Sequence, residues 1–175
     1  MTDNIGRVES PENVAHRSAI REVLATHSRG IDRNDAAILK MAYWPDAEVD
    51  YGGFKGRAHD FADVVGQALQ GAYELTQHLL GQTVYSVEGN RATTESYVYA
   101  RHLLQGAEEE LNFAGRYLDQ LELREGQWKI VHRRVVMDWC RRAAVVDERE
   151  GEAFAGLSKG VNDASDPSFV LFTQD

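Results

Sequence analysis

A chain of 175 residues fits one domain with a sizeable core and room for an extra tail. With 43% hydrophobic and 27% charged residues it has the composition of an ordinary globular protein, and its net charge of −9 argues against nucleic acid or an anionic membrane as partner. The single Cys140 excludes an internal disulfide, the opening "MTDNIGRVES" lacks the apolar core of a signal peptide, and no apolar run is long enough to cross a bilayer. A cytoplasmic location is the expectation.

Ser10 and Pro11 open the first predicted helix as N-cap and first helical residue. Ile20, Val23, Leu24, His27 and Ile31 then recur at helical spacing, and Gly30 marks where the helix can end. Asp35 caps a second short helix through "AAILKMAYW", predicted to stop at Pro45. "AEVDY" alternates as a half-buried strand, and "GGFKG" reads as a turn with a short return strand. Phe61, Val64, Val65, Ala68, Leu69 and Ala72 form a third helical stripe. From there to Cys140 the pattern is strand. "TQHLLGQTVYSV" and "RATTESYVYARHLL" are joined by "EGN", and "LNFAGRYLDQLEL" and "QWKIVHRRVVMDW" by "REG". The predicted class is therefore α+β, with three N-terminal helices on a mostly antiparallel sheet. The domain is expected over residues 10–142, followed by a tail over 143–175.

Strand alternation nominates side chains for an interior pocket. His78, Leu80 and Gln82 share one face, while Arg133 shares its face with Val135, Met137 and Trp139. An arginine among such apolar neighbours needs a carboxylate or an anionic ligand. Asp32, just past Gly30, can turn off the helix end toward the sheet. Asp32, His78 and Arg133 would supply an orienting acid, a base and a cation. Each has a plainer reading: a turn-capping aspartate, a satisfied core histidine and half of a structural ion pair. No H-E-x-x-H and no Cys/His cluster at ligand spacing occurs, so neither a metal site nor a cofactor is expected.

The D-x-x-D after the first helix, "HLLGQ" in the first long strand and the closing "GRYLDQLELREGQWKIVHRRVVMDW" resemble the SnoaL-like branch of the nuclear-transport-factor-2-like superfamily, over about residues 12 to 142. The resemblance implies a cone-shaped α+β barrel whose strongly curved sheet and three helices enclose one pocket. It implies a cofactor-independent lyase or isomerase, dehydratase-like or dehydrohalogenase-like. The family's Asp–His dyad falls on Asp32 and His78, and a pocket arginine falls near Arg133. His27, Tyr51, Leu80, Gln82, Val98, Val135, Met137 and Trp139 would bind a small hydrophobic substrate, polycyclic or aromatic. The tyrosine that dehydratases of this branch carry before the aspartate is His27 here. Their next-strand polar group falls near Val98 and Ala100, both apolar, which disfavours water elimination by that route. The alternative is a noncatalytic small-molecule binding module or accessory subunit, since fold does not fix function. Large apolar residues on both faces of the strands predict a homo-oligomer, a dimer or trimer, with Leu79, Tyr97, Tyr99 and Tyr117 on the covered outer face.

Overall fold

The computed structural model describes residues 8–171. The polar N-terminal stretch up to Arg7 and the end of the tail from Phe172 lie outside the described residues. Helix α1 spans Pro11–Asp32, and the Ser10 side chain accepts a hydrogen bond from the Asn13 amide at 3.2 Å. Asp35 caps α2, Ala36–Met41, by accepting from the Ile38 amide at 2.9 Å. The two helices meet at Gly30, where a Cβ would come within 2.6 Å of the Leu39 amide nitrogen. Only glycine allows that approach, and it sets the angle at which α1 delivers its last turn.

The second helix is shorter than the sequence pattern suggests. Strand β1, Tyr43–Asp50, begins before Pro45 and runs through it. Its parallel pairing with the last strand skips between Tyr43 and Glu48, so the proline sits where no regular ladder bond is needed. Strand β2, Lys55–Arg57, returns antiparallel to β1, and α3 follows over Ala58–Ala72. The long strands are β3, Tyr73–Glu88, β4, Arg91–Leu104, β5, Glu109–Arg124, and β6, Gln127–Ala144. Sheet order is β2-β1-β6-β5-β4-β3, antiparallel except at β1–β6. The architecture is α+β, as expected, but the sheet is open at β2 and β3 and is not a closed barrel.

The main core lies where the helices meet the sheet, around Ile20, Leu24, Leu39, Tyr43, Leu121 and Ile130. Each such side chain contributes roughly 1.5–3 kcal/mol by leaving water. A smaller cluster of Val98, Ala100 and Tyr117, packed by Leu80, Phe113 and Val135, extends the interior toward β3. Beyond β6 the chain folds back on the domain. Arg149 pairs with Glu74 at 2.7 Å, the nearly buried Asp166 lies 3.5 Å from Arg33, and Phe169 sits under the Arg29 guanidinium.

Candidate active site

Asp32 occupies the last position of α1, so its carboxylate projects from the helix end onto the first residues of β3. Its Oδ1 lies 2.7 Å from His78 Nδ1 and accepts from the Thr76 hydroxyl at 3.2 Å. Its Oδ2 accepts from the His78 backbone amide at 2.9 Å. One carboxylate therefore holds both the ring and the main chain of the same histidine. With Asp32 as acceptor, Nδ1 carries the proton and Nε2 is left with its lone pair. His78 faces a cavity of about 280 Å³ between α1 and β3, walled by Leu24, Ser28, Leu80 and Thr83.

A second imidazole stands beside the first. The His102 ring meets His78 edge to face at 5.5 Å and stacks on Tyr73 at 4.6 Å. Burial, and then the neighbouring His78, push the His102 pKa down to about 4 against a smaller opposing pull from Asp32. His102 is therefore neutral near pH 7. Strand parity alone could have found it, since His102 shares a face of β4 with Val98 and Ala100.

Arg133 is elsewhere. It is fully buried and donates from Nε and Nη2 to the two oxygens of Asp119, at 2.6 and 2.7 Å. Its guanidinium lies 4.1 Å from the Tyr117 ring centre. The carboxylate that its apolar setting demanded comes from the protein itself, directly opposite on β5. Arg133 does not line the cavity beside His78. His27 and Tyr51 also belong to this inner region, with His27 Nε2 2.9 Å from the Tyr51 hydroxyl. Burial first, then the Arg133 charge, then His78, hold the His27 pKa well below the ordinary value, and burial raises that of Tyr51. Neither residue lines the His78 cavity.

Of the remaining nominated residues, Leu80, Val98 and Val135 pack together in the smaller cluster. Three do not join them, and bulges turn two of them, Gln82 and Trp139, away. Gly81 and Gln82 together oppose one residue of β4, which turns Gln82 into an outer groove with Leu79 and Tyr97. The extra residue Asp138 in β6, between the partners of Gly115 and Ala114, breaks the face shared by Met137 and Trp139. Met137 is 63% exposed, and Trp139 lines the outer groove beside Tyr99. Tyr117, expected outside, is instead buried against Arg133. A larger groove of about 400 Å³, around Thr93, Gln120 and His132, contains no dyad residue.

A family model described as the SnoaL-like domain matches residues 12–134. An uncharacterised protein of Mycobacterium tuberculosis is 27% identical over 128 residues, covering 71% of this chain and 86% of its own. Among solved structures, the chain is similar to the hexachlorocyclohexane dehydrochlorinase LinA-type3 of Novosphingobium barchaimii LL02. That match has a TM-score of 0.70 and 20% identity, over 77% of this chain and 94% of the other. It is also similar to a proposed scytalone dehydratase of Novosphingobium aromaticivorans, with a TM-score of 0.68 and 22% identity, over 77% and 91%. At such identities the structural matches speak to fold alone.

Proposed function

Because the chain belongs to the SnoaL-like domain family, we propose that it is a cofactor-independent lyase or isomerase acting on a small hydrophobic molecule with His78 as general base. The observation that carries this is the grip of Asp32 on His78, 2.7 Å to Nδ1 and 2.9 Å to the backbone amide, with the ring at a cavity wall. Nε2 takes a proton from carbon. In an elimination, the C–H electron pair becomes the new double bond, and the leaving group departs with the pair of its own bond. In an isomerisation, the pair is delocalised and a neighbouring carbon is reprotonated from Nε2. Asp32 stabilises the imidazolium formed in either case and keeps the ring from rotating. Leu24 and Leu80 keep the walls apolar, which strengthens that electrostatic support. Arg133, already bound to Asp119, holds the interior together and is not assigned to the reacting atoms. The relatives that resemble this fold include, by name, a dehydrochlorinase and a proposed dehydratase, which suits proton abstraction from carbon.

The test is to follow loss of carbon-bound hydrogen, by NMR in D2O, from a panel of small hydrophobic molecules with an acidic C–H. Wild type should exchange or eliminate, and His78→Gln should not. Equal rates in the two proteins would sink the proposal. The exposed apolar sheet face around Leu79 and Trp139 favours one second reading, an accessory or binding subunit that docks through that face.

A further inference from the structure

The cation expected from Arg133 is spent on Asp119, yet the His78 cavity does contain one. Arg21, Ala25, Ser28 and Asp32 follow at helical spacing along one stripe of α1, and the first three line the cavity with His78, Leu80 and Thr83. Neither a hydrogen bond nor an ion pair engages the Arg21 guanidinium among the described residues. An exposed arginine by itself is ordinary. Ser28 is the second observation: it is 8% exposed, and its hydroxyl oxygen is buried without a hydrogen-bond partner. A buried hydroxyl on a cavity wall, with nothing to bond, is costly unless something in the cavity answers it.

We propose that the His78 cavity takes an elongated anion, with an apolar body against Leu24 and Leu80, a polar group at Ser28 and a carboxylate-like terminus at Arg21. This deepens the proposed function, resting on His78 as the reacting group and naming the class of molecule brought to it. Ser28 and Arg21 are seven residues apart, so they are separated by roughly 10 Å along the helix axis. That is a length for two linked rings rather than one. Local charge supports the direction. Arg17, one turn before Arg21, is already paired with Glu9, so Arg21 is the cation that lines the cavity, and the Asp32 carboxylate is engaged by Thr76 and His78. The apolar stretch between the two ends discriminates by shape, while Arg21 discriminates by charge.

The probes are biphenyl-4-carboxylate and its neutral isostere, biphenyl-4-carboxamide, titrated into the full chain with amide shifts and heats recorded. In wild type the carboxylate should bind roughly tenfold tighter than the amide, shifting Ser28, His78 and Thr83. Arg21→Gln should abolish that preference while leaving the amide's affinity unchanged, and Ser28→Ala should weaken both. Equal affinity of the two probes, no saturable binding, shifts confined to another surface, or an undiminished preference in Arg21→Gln would each overturn the proposal. Binding needs no turnover, so His78→Gln should retain the carboxylate preference. Loss of catalysis in that variant bears on the base, and loss of preference in Arg21→Gln bears on the anion site.

Discussion

Asp32 touches His78 at two points, ring Nδ1 at 2.7 Å and backbone amide at 2.9 Å, although 46 positions separate them in the chain. The two contacts use different carboxylate oxygens, so the ring cannot rotate without straining the strand's own attachment to α1. Helix end and strand start are thus joined by the same group that would orient a base.

Asp32→Asn tests this directly. An amide can still accept one hydrogen bond, but its NH2 would face either Nδ1 or the backbone N–H, and that donor is then left unanswered. Turnover of the true substrate should fall by about 100-fold or more. Far-UV circular dichroism should be unchanged, because Asp32 supplies little apolar area to the core. Nitrogen-15 NMR of His78 should move from the Nδ1-protonated tautomer to a mixture. Full activity in Asp32→Asn would make the contact structural.

Arg133 invites the opposite pattern. Both it and Asp119 have side chains with 0% exposure, so removing one leaves a buried charge unpaired. Arg133→Met should cost about 3–5 kcal/mol in urea denaturation, and the double variant with Asp119→Leu should recover most of that loss. The His78 tautomer should not change. If Arg133→Met folded with native stability, the pair would not be what closes the interior.

The fold was legible because its signals are local. Ser10, Asp35 and the turns "EGN" and "REG" mark real element ends, and alternation in β4 and β5 is nearly unbroken. Asp32 was legible because it closes a clear helix, and His78 because strand alternation puts it on one face with Leu80. Gln82 and Trp139 were not, because a bulge adds a residue without changing the composition of a strand and shifts every facing beyond it, whereas Met137 keeps its register with Val135 and is exposed all the same. Arg133 was legible as a buried cation but not as one already paired. Its partner Asp119 sits in "YLDQLEL", where strand pairing, not sequence distance, brings the two together.

The outer face of the sheet predicts association. Leu79 is 65% exposed, Tyr97 49% and Trp139 50%, and all three line one groove of about 360 Å³. An apolar surface of that kind is costly in water and is normally covered. The expected occupant is a second copy of this chain. Leu79→Glu with Trp139→Glu should lower the mass seen in sedimentation equilibrium while preserving His78 and Asp32 geometry. Wild type remaining monomeric from micromolar to millimolar concentration would contradict it.

The last prediction concerns acid. His102 is lowered to about 4, and His27 lies well below its ordinary value, in both cases chiefly through burial. In the unfolded chain both would titrate near 6.5. Between pH 6.5 and about 4, then, the unfolded state binds protons that folded His102 refuses, and stability must rise with pH across that window. The contribution is fully present above 6.5, fades as the pH falls, and for His102 levels off once the folded ring also charges near 4. Carboxylates such as Asp138, held down by its bond to Arg116, add their own loss only lower, from the ordinary carboxylate range downward. The two windows can therefore be separated. Urea midpoints measured at pH 7, 6 and 5 should decrease in that order, and His102→Gln should flatten the decrease. A curve equally steep in the variant would mean that His102 takes up its proton in the folded protein at the ordinary pH.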